Sequence, residues 1–293
     1  LPAWMGAERG AGAGGPAAPA LPAWDPSDPA VINRVRAALH VSSMPDHVLG
    51  REKQIAEVSS FCASHLDGGT PGSMYVSGLP GTGKSLSVRR VVEGATGGHT
   101  RIYINCMAYS DPQKVFARIL EEIGDPASKS GCADTQVAAL RRRAAGAAGR
   151  GKMLLVVLDE IDHLLTRAQG VLYEVFALPL IPGSRCVVIG IANSIDLTER
   201  FLPRLKARGC RPATVTFGAY TPQQIAQVLE QRVGALPWRV FQPQALQMCA
   251  RKVASVTGDM RRALNICDAA IGVFLQACRD ATAPPPPAGV LRP

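Results

Sequence analysis

The sequence contains no C-x-x-C pair, few aromatic residues and no apolar run of membrane length. Its eight cysteines stand singly, at Cys62, Cys106, Cys132, Cys186, Cys210, Cys249, Cys267 and Cys278, and most lie inside apolar runs. That scatter excludes a disulfide frame and a paired-cysteine zinc site, and it predicts buried, reduced thiols of an intracellular protein. The longest apolar stretches, such as Met153 to Leu158, fall far short of the ~20 residues a helical membrane span needs, so no membrane partner is expected. No long basic run occurs, and basic residues are not interleaved with the aromatics, which are only 5% of the chain. The formal net charge of +9 therefore favours a polyanionic partner without specifying one.

At 293 residues the chain has room for about two domains, each with its own core. Residues 1–30 are nearly all Ala, Gly and Pro apart from isolated Trp4 and Trp24, too little contiguous apolar surface to offset chain entropy, and a disordered tail is expected. Residues 282–293 carry Pro284 to Pro287 in a row and form a second, proline-rich tail. Between the tails, five short runs rich in Val, Ile, Leu and Tyr alternate with helical patterns: Ser73 to Ser77, Arg101 to Met107, Met153 to Asp159, Arg185 to Ala192 and Ala213 to Phe217. Such alternation predicts an α/β domain over 31–218, with a five-stranded parallel sheet covered on both faces.

After Phe217 the strand pattern stops and three helical stretches follow, which predicts a small all-helical domain over 219–281. Its first helix is signed by Thr221-Pro222-Gln223-Gln224: an N-cap hydroxyl, a proline at the first helical position, and a glutamine able to reach back in a capping box. Leu246, Cys249, Ala250 and Val253 share one face of the next helix, and Leu264, Cys267, Ile271 and Cys278 one face of the last.

The most specific chemical signal is Gly78-Leu79-Pro80-Gly81-Thr82-Gly83-Lys84-Ser85, which fits G-x-x-x-x-G-K-[ST] directly after a strand and before a helix. Gly78, Gly81 and Gly83, with Pro80 and Thr82 between them, let backbone amides turn inward onto phosphates at a helix N-terminus. Lys84 is placed to neutralise the β and γ phosphates of ATP, and Ser85 to ligate Mg²⁺. Leu154 to Glu160 is a buried-strand pattern ending in two carboxylates; Asp159 is expected to hold the Mg²⁺ shell and Glu160 to activate water. Asn193 follows the strand Cys186 to Ala192, where its amide could hold the lytic water or merely cap the next turn, with Asp196 also available. Arg261, after Gly258-Asp259-Met260, opens the last helix, a position the helix dipole disfavours for a cation unless a ligand phosphate offsets it.

Together with Gly190 to Asn193, Asp196 to Arg200, Leu202 to Arg208 and Gly258 to Leu264, these motifs resemble the cell division control protein 6 family, kin to the largest subunit of the origin recognition complex. The likeness runs from about Val48 to Cys278. It implies an AAA+ P-loop fold with a helical lid, in which Asn193 is sensor 1 and Arg261 is sensor 2. It also implies that Val48 and Leu49, in Val48-Leu49-Gly50-Arg51-Glu52, lie on the adenine side. Arg208, with Arg204 nearby, matches the segment carrying an arginine finger that acts in trans; read from the residues alone, both are ordinary solvated cations. The helix near Pro112 to Ile123 stands where the family has a DNA-touching insertion, and its basic residues Lys114 and Arg118 suit backbone contact with duplex DNA, not base readout.

The resemblance implies ATP and Mg²⁺ as cofactors, a nuclear location, and as partners the origin recognition complex and the replicative helicase, the minichromosome maintenance complex, with its loading partner. It implies a replication initiation factor that helps load that helicase. A stable origin recognition complex subunit, or an ATP-binding scaffold with little hydrolysis, are the alternatives. The winged-helix domain with which the family usually ends is not expected in this chain.

Overall fold

The computed structural model describes residues 25–43, 48–95, 97–109, 111–146, 152–165, 169–193 and 196–282. In chain order they form α1 (Pro29–Leu39), α2 (Glu52–Asp67), β1 (Gly72–Gly78), α3 (Lys84–Gly94), β2 (Thr100–Asn105), α4 (Lys114–Ile123), α5 (Ala133–Ala144) and β3 (Leu154–Asp159). There follow α6 (Asp162–Leu165), α7 (Gln169–Ala177), β4 (Cys186–Ala192), α8 (Asp196–Ala207), β5 (Ala213–Phe217), α9 (Pro222–Gly234), α10 (Pro243–Val256) and α11 (Met260–Thr282). The chain divides into two units, residues 51–219 and residues 1–50 with 220–293.

In the first unit the strands lie in the order β2-β3-β4-β1-β5, all parallel. β3 and β4 are buried along their whole length, which is why each reads as an unbroken apolar run with no polar alternation. Their side chains still alternate between faces. Val156, Leu158 and Val188 meet Ile119, Leu120, Leu140, Leu172 and Phe176 on one face, while Leu155, Val157, Val187 and Ile189 meet Val58, Cys62, Val88 and Val92 on the other. Each fully buried side chain of this size contributes about 1.5–3 kcal/mol, so both faces need helices over them. β4 sits between β1 and β3, and the nucleotide loop and both candidate carboxylates therefore leave the same edge of the sheet.

β2 ends two residues earlier than the sequence pattern suggests. The Asn105 side chain accepts the Met107 N–H at 2.9 Å and starts a 3-10 turn over Cys106–Ala108, ending the extended conformation.

The second unit is a helical bundle. The capping box at its first predicted helix is formed: Thr221 Oγ1 accepts the Gln224 N–H at 3.2 Å, and Gln224 Oε1 accepts the Thr221 N–H at 3.0 Å. One expectation fails here. The sequence reading assigned the stretch from residue 31 onward to the α/β domain, but α1 places Val31, Val35 and Leu39 in a core with Ile225, Leu229, Phe241, Leu264 and Ile271. The helix starts at Pro29 behind an Asp28 cap whose carboxylate accepts the Ala30 N–H at 2.8 Å, inside the stretch expected to be a tail. The remaining tail residues, 1–24 and 283–293, lie outside the described residues. Among the described residues no helix is long and apolar enough to cross a membrane. No cluster of three or more His, Cys, Asp or Glu residues there could hold a metal ion.

Candidate nucleotide site

Two backbone devices shape the loop between β1 and α3. Gly78 closes β1 against β5 so tightly that a Cβ there would lie 2.3 Å from the Phe217 carbonyl oxygen, so only glycine fits. Gly81 and Gly83 take φ of 70° and 85°, turning the loop back so that Gly83 caps α3. Thr82, fully buried, donates from Oγ1 to the Leu79 carbonyl at 2.7 Å, while Pro80 sits exposed at the bend. Lys84 opens α3 with 4% of its surface exposed, and its ammonium donates to the Gly78 and Leu79 carbonyls, both at 2.9 Å. The charge is thus held inside the curve of its own loop by acceptors that keep a buried ammonium tolerable.

Asp159, 4% exposed, ends β3 as a three-donor acceptor. Ser85 Oγ donates to Oδ1 at 3.0 Å, the Glu160 N–H to the same oxygen at 2.9 Å, and Tyr103 OH from β2 to Oδ2 at 2.6 Å. Burial and the adjacent Asp159 charge push the Tyr103 phenol well above its ordinary value, so it stays a donor. A carboxylate and a hydroxyl in contact at the mouth of a phosphate loop are the hard oxygen ligands that Mg²⁺ takes, so the residues fit that ion. Glu160 is the one non-glycine residue with positive φ, 55°, among the described residues. A left-handed residue costs about 1–2 kcal/mol, and it is held here by its own N–H bond to Asp159 and by the Ile161 N–H bond to the Ile191 carbonyl at 3.0 Å.

At the end of β4, the Asn193 N–H donates to Asp162 Oδ2 at 2.6 Å. Sequence reasoning passed over Asp162, three residues past Asp159. Its other oxygen is buried without a hydrogen-bond partner among the described residues. Tyr103 was also passed over, because the bond that gives it a role spans 56 positions. The Asp196 side chain, named above as an alternative cap, lies outside the described ones.

The arginines differ in kind. Arg208 is exposed just past α8, with its guanidinium carbon 4.2 Å from the centre of the Tyr173 ring; Arg204 is exposed within the helix. In the helical unit, Arg261 forks onto Asp259 with Nε and Nη2 both at 3.3 Å, and its N–H reaches Asp259 Oδ1 at 2.8 Å. The unfavourable dipole at this helix start is therefore already offset by a side chain of the protein. Val48 and Leu49 are half-buried in the same unit, and the Gly50 carbonyl beside them accepts from Gln224 Nε2 at 3.1 Å. On α4, Arg118 pairs with Glu121 at 2.9 Å and also with Glu122, whereas Lys114 is exposed.

Known proteins match this arrangement in both units. The AAA domain family matches residues 67–190, and the Cdc6/ORC-like ATPase lid domain family matches residues 220–275. The chain is 38% identical over 271 residues to cell division control protein 6 homolog B of Arabidopsis thaliana, covering 89% of this chain and 54% of that protein. It is 34% identical to origin recognition complex subunit 1 of Rattus norvegicus, covering 81% of this chain and 28% of that protein. Among solved structures it superposes on a chain of the Drosophila ORC bound to DNA with a TM-score of 0.73 at 30% identity, covering 92% of this chain and 66% of that one. The chain thus spans about half the length of the Arabidopsis relative and less of the other. On its parallel sheet, its phosphate loop and these matches in both units, the chain belongs to the Cdc6/ORC-like AAA+ ATPases.

Proposed function

We propose that this protein is an ATP-dependent DNA replication initiation factor that joins the origin recognition complex at origins and helps load the replicative helicase. The observation that carries the proposal is the coexistence of a buried phosphate-loop site within the chain and an exposed arginine, Arg208, in the segment that resembles the family's arginine finger.

The geometry of the sheet unit supports the following roles for its residues. Lys84 exchanges its two loop carbonyls for phosphate oxygens, while the loop amides between Gly78 and Ser85 surround the phosphates. Ser85 and Asp159 hold Mg²⁺, which when bound neutralises charge on the phosphates. Glu160 takes the proton of the attacking water, and Asn193, steadied through its backbone by Asp162, holds that water. The family resemblance assigns Arg261 to γ-phosphate sensing and Val48 and Leu49 to the adenine. Arg208 completes the site of the adjoining subunit. Such a division of labour makes turnover depend on assembly, so the chain alone is a slow ATPase. The work is nuclear, with contact to the DNA backbone, the minichromosome maintenance complex and its loading partner.

A second reading, a resident subunit of the origin recognition complex, rests on the subunit 1 relative; its lower identity and coverage place it behind the first. The test is ATP turnover by the protein with and without origin recognition complex and duplex DNA, beside Lys84→Ala. Turnover that rises with the complex and falls in the variant to the share of the neighbour's site supports the initiation factor. Tight ATP binding with no turnover under any condition supports a nucleotide-bound scaffold instead.

A further inference from the structure

Arg208 is an exposed cation with no carboxylate partner among the described residues, yet it is not loose. Its guanidinium carbon stands 4.2 Å from the centre of the Tyr173 ring, well inside the ~6 Å reach of a cation–π contact. The ring is itself fixed. Tyr173 is 6% exposed on α7, and Phe201 of α8 packs against it at 5.4 Å between ring centres. Phe176 and Tyr75 hold Phe201 in turn, at 5.6 Å and 6.1 Å. The cluster therefore ties the platform to β1, three residues before the phosphate loop begins, and to the helix that follows Asn193.

The kind of contact matters. A carboxylate partner would occupy the guanidinium's N–H donors, as Glu174 does for Arg141 at 2.6 Å one residue along α7 from Tyr173. An aromatic face takes the flat side of the cation and leaves its five N–H donors for a phosphate. A ring below Arg208 thus restricts a long, many-rotamer side chain while keeping all of its anion-binding capacity.

We propose that Tyr173 is a positioning residue that presents Arg208 to the nucleotide of an adjoining subunit; the inference rests on the trans role proposed above for Arg208. The Tyr173 hydroxyl is buried without a hydrogen-bond partner among the described residues, so the ring is what acts and the hydroxyl is dispensable.

The experiment uses the protein assembled with origin recognition complex on duplex DNA, in a Lys84→Ala background that silences its own site, so that the remaining protein-dependent ATP turnover belongs to the neighbour. Arg208→Ala should abolish that increment. Tyr173→Leu should lower it by about three- to thirty-fold, the range of a cation–π contact, and Tyr173→Phe should restore it. Should Tyr173→Leu not fold, a trifluorinated phenylalanine at position 173 keeps the shape while emptying the ring face of charge density, and it should show the same loss. ATP binding by the protein's own site, with Lys84 intact, should be unchanged in every position-173 variant. If Arg208→Ala lowers the increment and the Tyr173→Leu and fluorinated variants do not, the positioning role is wrong and the trans role stands. A Tyr173→Phe variant as poor as Tyr173→Leu also overturns the positioning role. If Arg208→Ala has no effect, the trans role fails and this inference with it.

Discussion

The carboxyl edge of the sheet and the exposed arginines solve opposite problems. At the sheet edge, Lys84 and Asp159 are 4% exposed and already bonded to loop carbonyls, to Ser85 and to Tyr103. Arg208 and Arg261 lie in solvent and rest on partners that release them cheaply, a ring face and a half-exposed ion pair. Groups that must meet a ligand within the chain are pre-organised by burial, where each hydrogen bond counts most. On the roles proposed above, the exposed arginines are parked, because a buried cation could not reach out and a free one would lose too much side-chain entropy on binding.

The contrast can be broken from either side. The largest effect is expected from Glu160→Gln, which should bind ATP normally and lower partner-stimulated turnover by about 10²- to 10⁴-fold, the usual contribution of a general base. A steady-state phosphate-release assay beside a binding titration separates the two quantities.

Alkaline pH attacks the buried side alone. Burial pushes the thiols of Cys62, Cys106 and Cys186 up to about 11, about 12 and about 12, and Asp159, Glu160 and Asp162 add to the shift at Cys106. Because these values are raised on folding, the stability tied to the neutral thiols is whole below the unfolded value of 9.0 and is lost as pH climbs from there toward the folded values. At pH 10 the loss should be about 1 kcal/mol per thiol, visible as a falling urea midpoint between pH 8 and 10.5. A Cys106→Ala variant should make that fall shallower by one thiol's share.

Tyr103→Phe should remove one of the three donors to Asp159 and cost about 1–2 kcal/mol in thermal or chemical unfolding, with a weaker Mg²⁺ dependence of ATP binding. The smallest effect belongs to the parked arginine. Asp259→Ala should cost about 1 kcal/mol, because it removes the cap of α11, while Asp259→Ser should cost almost nothing. Equal losses in the two variants would mean that the ion pair, not the cap, holds Arg261.

The legible parts of the molecule are those whose cause is local. The phosphate loop declares itself because only glycines accept its turns. β3 and β4 do so because strands buried on both faces must be apolar throughout, and the start of α9 because a capping box needs only Thr221 and Gln224. Contacts made across the fold leave no local trace. Asp162 gains its role from an amide 31 positions away, and Tyr173 from an arginine that comes alongside only once α7 and α8 pack. The allegiance of α1 was hidden for the same reason. Its Val31, Val35 and Leu39 stripe predicts a helix with one buried face, and nothing in that spacing says which core receives it.

On the proposed reading, the nucleotide site is complete enough within this chain to bind ATP by itself, while turnover waits for a neighbour. Equilibrium binding of Mg²⁺-ATP to the isolated protein and to Lys84→Ala, with turnover followed in the same samples, tests it most directly. The wild type should bind saturably and the variant more weakly by about a hundred-fold or about 3 kcal/mol, with negligible turnover in both. Wild-type protein that binds no ATP alone, or that binds equally well without the Lys84 ammonium, would contradict it.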